Sequence, residues 1–165
     1  MHQHRLHVPS LRQRGVYALE WAIVFPVFFM LVYAIISYGL TFLVRESMQN
    51  AVEDGARAAL RYQVSRGDRL MQARELVADR MAWLPAALRP AVESVTVEVC
   101  SAVDESICGV NMHCGAALAE RCLVRVALVL PYADAPLAPP LLGLNALVPE
   151  RLSVSASILA DRGGF

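Results

Sequence analysis

The chain has 165 residues, of which 56% are hydrophobic and 18% are charged. Soluble domains average about 45–50% apolar and about 25% charged residues, so this composition indicates one modest domain together with a membrane-embedded segment. The formal net charge is zero, which excludes a broad basic surface for nucleic acid, and we expect no nucleic-acid partner.

Residues 1–15 form a basic segment that we predict to be a leader. They contain Arg5, Arg12 and Arg14 and no acidic residue. A basic flank before an apolar segment predicts a cytoplasmic N-terminus, with everything after Arg45 on the other side of the inner membrane. A cleaved secretory signal is an alternative, but its apolar core has only about 7–15 residues. An uncleaved signal anchor fits the length of the apolar segment better.

Residues 21–44 contain no charged side chain. Because a helix needs about 20 apolar residues to cross a bilayer, we predict that residues 16–44 form the transmembrane half of a long helix. Glu20 stands just before the uncharged run, where a carboxylate is costly and suggests a function. No Lys or Arg lies between residues 16 and 44, so its counter-charge must come from another chain or a new N-terminal amine. Alternatively, Glu20 lies at the headgroup boundary and favours the helix N-terminus electrostatically.

Residues 45–66 are predicted to continue the same helix with a different character. Apolar residues recur there at helical spacing, while the charged residues fall mostly on other faces. We therefore expect one helix from residue 16 to about residue 65, apolar in its first half and amphipathic in its second half.

Residues 67–165 are predicted to form a periplasmic α+β domain of pilin-like type. Gly67 and Asp68 mark a break, and Asp68 is expected to cap a second helix over about residues 69–83. Alternation of β-branched and polar residues predicts strands at residues 94–100, 122–130 and 152–159, and a short helix is expected near residues 141–147. The expected architecture is a long N-terminal helix, a short second helix and a small antiparallel sheet packed on the amphipathic half.

Four cysteines, Cys100, Cys108, Cys114 and Cys122, fall in one Cys-rich loop, residues 100–122. Four cysteines allow three pairings. Cys100 ends one predicted strand and Cys122 begins the next, so a nested arrangement of Cys100–Cys122 and Cys108–Cys114 is favoured. The alternative is a zinc site, which would lack a C-x-x-C pair. Disulfides also require an oxidising compartment.

The sequence contains no motif for catalysis or cofactor binding. After residue 15, His113 is the only histidine, and it lies in a Gly-containing loop where a solvated role is expected. There is no phosphate-cradling glycine loop and no nucleophile elbow. The carboxylates of Asp104, Glu105 and Asp134 are scattered in predicted loops. We therefore expect a protein that is not an enzyme and that holds no cofactor and no metal.

The N-terminal part of the chain resembles the TadE-like family, minor pseudopilins of the tight-adherence (Flp, type IVb) pilus. The matching features are residues 12–22 with the sequence RQRGVYALEWA, then Pro26, Gly39 and residues 54–59 with the sequence DGARAA. Residues 130–132, residues 140–143 and the last strand also resemble the family. Trp21 departs from the pattern, because related prepilins favour tyrosine after the glutamate.

The resemblance implies specific roles for the residues around Glu20. A prepilin peptidase is expected to cleave between Gly15 and Val16 and to leave a new amine on Val16. Gly15 suits such a protease because it offers an unhindered extended backbone. Glu20 is then expected to pair with the amine of a neighbouring subunit, which neutralises both charges. Ala18 and Ala22 form a small-residue face that lets helices approach closely.

The resemblance also implies partners and a location. The expected partners are a prepilin peptidase, other pilins or pseudopilins and the tight-adherence assembly platform, around a single-pass bacterial inner-membrane protein that supports pilus biogenesis and adhesion. A type II secretion-like pseudopilin shares the same leader and glutamate and remains an alternative. A signal-anchored periplasmic binding or enzymatic domain is an alternative from another class. It predicts an intact segment 1–15 and indifference to Glu20→Ala.

Overall fold

A computed structural model describes residues 14–61, 66–109, 112, 114–115, 117, 120–138 and 149–160. Within these residues, two helices precede an antiparallel sheet. The predicted α+β class is therefore confirmed, with a long N-terminal apolar helix, a second helix and a small sheet. Several predictions fall on residues outside this description, namely most of the segment 1–15, His113, residues 140–143 and the short helix near residues 141–147.

The first helix, α1, spans Arg14–Ala59. It includes Pro26, which membrane helices tolerate better than helices in water do. The helix ends at Ala59 and not near residue 65 as predicted. Leu60 and Arg61 form the turn that follows it. The chain divides into two compact units, Met1–Gly39 and Leu40–Phe165.

In the first unit, none of the described residues from Tyr17 to Gly39 is buried. α1 is the one helix in the described part of the chain that is long and apolar enough to cross a membrane. In the second unit, by contrast, α1 contributes to a closed core. Val44, Met48 and Val52 recur at intervals of four residues and are fully buried, which places them on one face of the helix.

The second helix, α2, spans Arg66–Arg80. It begins three residues earlier than predicted, so Gly67 and Asp68 belong to its first turn and do not form a break before it. Leu70, Ala73 and Val77 are buried at helical spacing and face the core.

The sheet has four antiparallel strands in the order β2-β1-β3-β4. The strands are β1 (Val95–Ser101), β2 (Cys108–Gly109), β3 (Cys122–Leu130) and β4 (Leu152–Ala160). The three predicted strands are confirmed to within a residue at each end. The two-residue strand β2 was not predicted, because two residues are too few to show an alternating pattern.

The register of the sheet sends one set of side chains into the core. Val99 pairs with Val124, which in turn pairs with Ile158, and all three lie on the face that carries the buried residues. The opposite face of β4 carries the exposed Ser153, whereas its neighbour Val154 is buried. This period of two is the ordinary consequence of strand geometry with one buried face.

Candidate functional site

The first candidate site lies in the opening turns of α1. Gly15 and Val16 are part of the helix, and Glu20 follows four residues after Val16. Residues four apart lie on the same helix face, about 6 Å along the axis, so the carboxylate projects one turn beyond the Val16 backbone. Val16, the residue after the predicted cleavage junction, and Glu20 therefore lie on one side of the helix.

Glu20 is exposed and lies at the start of an exposed apolar surface. Side chains around it are at least half exposed, including Leu19 at 67% and Trp21 at 66%. No described side chain forms an ion pair with it, and the next basic residue along the chain is Arg45. Among the described side chains, this carboxylate therefore has no counter-charge.

Ala18 and Ala22 lie four residues apart on α1 and share a face. At about 100° per residue, that face is on the far side of the helix from Glu20. The acidic side chain and the small-residue surface are thus available to two different neighbours.

The second candidate site is the cysteine cluster, in which all four cysteines form disulfides. The bonds are Cys100–Cys108, with a Cα–Cα distance of 4.0 Å, and Cys114–Cys122, with a Cα–Cα distance of 5.6 Å. Each bond links residues eight apart in sequence. In the chain-entropy model, closing a loop of this length stabilises the fold by about 2.5 kcal/mol.

The nested pairing favoured from the sequence is wrong, because the strands align one residue away from the position it needs. Cys100 pairs with Leu123, and Cys122 pairs with Ser101. Adjacent residues on a strand point to opposite faces, so the Cys100 and Cys122 side chains lie on opposite faces of the sheet. Strand β2 instead brings Cys108 directly opposite Cys100.

The disulfides also remove the thiolates that a metal site would need. Ligand atoms of Glu98, Cys100 and Cys108 lie within 4.8 Å of one another. Both sulfur atoms of this group are joined in one S–S bond, so they are not available as the thiolates that bind zinc. The group is therefore explained as a cross-link beside a surface carboxylate.

The loop closed by the first disulfide is ordered by polar contacts. The hydroxyl and the backbone N–H of Ser106 donate to Oδ1 of Asp104 at 2.6 and 3.0 Å. These bonds, the hydroxyl foremost, hold the pKa of the Asp104 carboxyl below its ordinary value. Arg125 on β3 donates to Oε2 of Glu105 at 2.7 Å and so ties the loop to the sheet. Both carboxylates therefore take part in ordering the loop.

At Gly55, α1 lies close to α2. A β-carbon at this position would lie 2.5 Å from Cγ2 of Val77 and 3.3 Å from the carbonyl oxygen of Ala73, both on α2. Beside Gly55, the Asp54 carboxylate forms an ion pair with Arg80, with Oδ2 and the guanidinium nitrogen 3.1 Å apart. A glycine in the interior of an amphipathic helix was the one signal in the sequence for this contact.

A surface groove of about 380 Å³ lies between α1 and β4. Gln49 and Glu53 line its helical side, where the amide of Gln49 donates to the Glu53 carboxylate at 3.1 Å. Ala156 and Ile158 line the other side. Arg57, Ser155 and Ser157 also line the groove, so its described lining is mainly polar.

Part of the chain matches a known protein family. Residues 15–57 match the family model described as TadE-like protein. The resemblance predicted from the sequence is therefore confirmed over this segment, which contains Gly15, Glu20 and Gly55. No curated protein and no solved structure matches the chain.

Proposed function

We propose that this TadE-like chain is a minor pseudopilin of the tight-adherence (Flp, type IVb) pilus, a membrane-anchored assembly subunit without catalytic activity. The family match supports a place in the tight-adherence pilus machinery. The contents of the matched segment support the finer role, because it holds both the exposed apolar half of α1 and the Glu20 carboxylate.

One observation carries this proposal. Glu20 is exposed at the edge of an uncharged run that ends at Val44, and the chain offers no basic residue between Val16 and that end. A carboxylate in an apolar layer is costly unless it is paired. A partner from a neighbouring chain resolves this cost, and a subunit that assembles through its helices supplies one.

Processing between Gly15 and Val16 would provide that partner. Cleavage there by a prepilin peptidase creates a cationic amine on Val16, one helical turn before Glu20. The amine of one subunit then pairs with Glu20 of the next while the helices bundle. Ala18 and Ala22, on the other face, allow a second helix to approach closely.

The cysteine cluster supports the location that this role requires. Two disulfides persist in an oxidising compartment such as the periplasm and are rare in the cytosol. The proposed orientation therefore has a cytoplasmic N-terminus, one pass through the inner membrane and a periplasmic second unit. Its partners are the prepilin peptidase, other pilins or pseudopilins and the assembly platform, and its role is pilus biogenesis and surface adhesion.

The test is a pair of charge-removing variants in cells that assemble the pilus. Glu20→Gln removes the carboxylate charge at nearly constant size, and Glu46→Gln does the same at an exposed position after the uncharged run. We expect Glu20→Gln to abolish piliation and surface adhesion while the protein still accumulates in the membrane. Glu46→Gln should leave piliation intact. Wild-type piliation in Glu20→Gln cells would overturn the proposal.

A further inference from the structure

The two edges of the sheet differ in length. One edge is β2, a strand of only two residues. The other edge is β4, which has nine residues and which, in the described part of the chain, is paired on one side only, with β3. We call the side of β4 away from β3 its outer edge. The edge of a strand presents a row of backbone N–H and C=O groups that can pair with another strand.

β4 lacks the features that usually protect an edge strand. Proteins discourage pairing at an edge with a charged residue, a proline or a β-bulge. The sequence of β4, LSVSASILA, has no charged residue and no proline. Its nine residues pair one for one with those of β3, from Leu152 opposite Leu130 to Ala160 opposite Cys122, so this pairing has no bulge. The outer edge is therefore suited to the addition of a strand.

Open space lies beside the middle of this edge. The groove between α1 and β4 is lined by four consecutive strand residues, Ser155, Ala156, Ser157 and Ile158. Successive side chains of a strand point to opposite faces of the sheet, so a groove that touches all four runs along an edge and not over one face. Because β3 occupies the other edge, the groove adjoins the outer edge.

The charges that flank β4 match a second copy of the strand that runs antiparallel. Glu150 and Arg151 immediately precede the strand and are exposed, and Asp161 and Arg162 follow it in the sequence. In antiparallel pairing of two copies about Ala156, the position opposite Arg151 is that of Asp161. The position opposite Glu150 is likewise that of Arg162. These pairs join opposite charges, whereas parallel pairing in register would place like charges together.

We propose that the second unit forms a two-fold symmetric dimer, in which the outer edges of two β4 strands pair antiparallel about Ala156. The partner is a second copy of this chain, because the charge pattern around β4 complements itself in that arrangement and a two-fold axis makes each contact twice. The two sheets then form one continuous sheet through strand addition. This dimer goes beyond the proposed function and requires neither processing nor piliation.

Cysteine cross-linking tests this register in the full chain. One copy carries Ser153→Cys and the other carries Leu159→Cys, both at exposed positions of β4. The proposed register places the two positions directly opposite each other, where the Cβ atoms of paired strands are about 4.5–5.5 Å apart. In two copies of the same variant, the new cysteines are offset by six residues, or about 20 Å along the strand.

The two variants carry different tags and are co-expressed in cells without other pilus genes, and their membranes are treated with a short bifunctional thiol reagent. The wild-type chain, whose four cysteines are all in disulfides, is the blank. We expect several-fold more cross-linked dimer from the mixed copies than from either variant alone. An absence of cross-linked dimer would overturn the proposal. So would stronger cross-linking of Ser153→Cys to itself, which indicates parallel pairing. The proposed function is tested by piliation, so either can fail without the other.

A charge exchange gives an independent measurement. Arg151→Glu and Asp161→Arg each place like charges opposite each other in a dimer of one variant, whereas a mixture of the two variants restores opposite charges. We expect differently tagged copies to co-purify in detergent several-fold better from the mixture than from either variant alone. Glu93→Arg, the same kind of reversal at an exposed position before β1, should co-purify as the wild type does. Equal recovery from the mixture and from the single variants would overturn the proposed register.

Discussion

The two stretches of α1, residues 17–39 and 40–59, belong to one helix but differ in the burial of their apolar side chains. Up to Gly39 none of its described side chains from Tyr17 onward is buried, although nearly all of them are apolar. From Leu40 to Ala59 the helix buries an apolar stripe and carries its charges on the other side, as Val44 and Glu46 illustrate. The second stretch completes a core within the chain. The first stretch is an apolar surface that the described part of the chain leaves uncovered.

This contrast distinguishes apolar surface that is buried when the chain folds from apolar surface that lipid or another subunit would cover. The exposed stretch from Trp21 to Gly39 has 19 residues, which as a helix is about 28 Å long. That length matches the hydrocarbon core of a bilayer, about 30 Å. The helix therefore has one half adapted to lipid or neighbouring helices and one half adapted to its own sheet.

The largest expected effect comes from placing a charge in the first stretch. Met30→Lys puts a cation at the middle of the exposed apolar segment, where Met30 is 53% exposed. Lysine at the centre of a membrane helix makes insertion less favourable by about 2.5–3.5 kcal/mol. We expect a lower integrated fraction in a membrane-insertion assay. Asn50→Lys, at an exposed position of the second stretch, should integrate as well as the wild type. An equal loss of integration in both variants would show that the two stretches do not differ in their contact with lipid.

A smaller effect is expected from opening a disulfide in the second unit. Replacing both Cys100 and Cys108 by alanine should lower the free energy of unfolding of this unit by about 2.5 kcal/mol. Urea unfolding in detergent measures this change. Membrane insertion should be unaffected, because the cross-link belongs entirely to the unit that buries its own core. A variant without the Cys100–Cys108 bond that is as stable as the wild type would show that this cross-link does not stabilise the second unit.

The same region allows the pairing itself to be mapped. Cleavage after glutamates and at Met112, without reduction, separates all four cysteines. The pairing in the structure predicts that the fragment with Cys100 is joined to the fragment with Cys108. It likewise predicts that Cys114 is joined to Cys122. A fragment pair joining Cys100 to Cys122 would restore the nested arrangement.

Adding one methyl group at a glycine in each stretch of α1 compares how tightly the two stretches are packed. Gly55→Ala places a carbon 2.5 Å from Val77, and overpacking of this kind costs about 1–3 kcal/mol of unfolding free energy. Gly39→Ala meets no atom within 4 Å and improves helix propensity by about 0.5–1 kcal/mol. Thermal unfolding of the two variants should therefore shift in opposite directions. A Gly39→Ala variant as destabilised as Gly55→Ala would show that the first stretch is packed after all.

The smallest expected effect concerns the stability of the second unit at low pH. Hydrogen bonds from Ser106 lower the pKa of Asp104, so the ionised carboxylate favours the folded loop. This contribution is present above the pKa of the unfolded chain, about 3.9. It is lost as the pH falls through the lower pKa of the folded state. Asp104→Asn should therefore slightly weaken the dependence of the unfolding free energy on pH at the acid end. An unchanged dependence would show that Asp104 does not contribute to it.

The sequence predicted those parts of the fold that have a long periodic pattern. β3 has nine residues, with Val124, Val126 and Leu128 buried at alternate positions, and its predicted bounds agree with the structure. The apolar stripe of α1 was equally clear. The start of α2 was misplaced because Gly67 and Asp68 are usual outside a helix, yet both fit its first turn, where an acidic residue is favourable.

The parts that the sequence did not predict depend on contacts distant along the chain. β2 is defined by pairing with β1, and the disulfide connectivity follows from a register that only the folded sheet sets. The contact of Trp83 with Ser47 joins residues 36 positions apart and has no local pattern. For the candidate site, the sequence identified Glu20 and its lack of a basic neighbour, because those are properties of composition along one helix.

In the proposed function, the first stretch of α1 becomes an assembly helix whose mature N-terminus begins one turn before Glu20. Intact-mass and N-terminal peptide mass spectrometry of the membrane-extracted protein, from cells with an active prepilin peptidase, tests this most directly. We predict a mature chain that begins at Val16. A chain that retains residues 1–15 in those cells would contradict the claim.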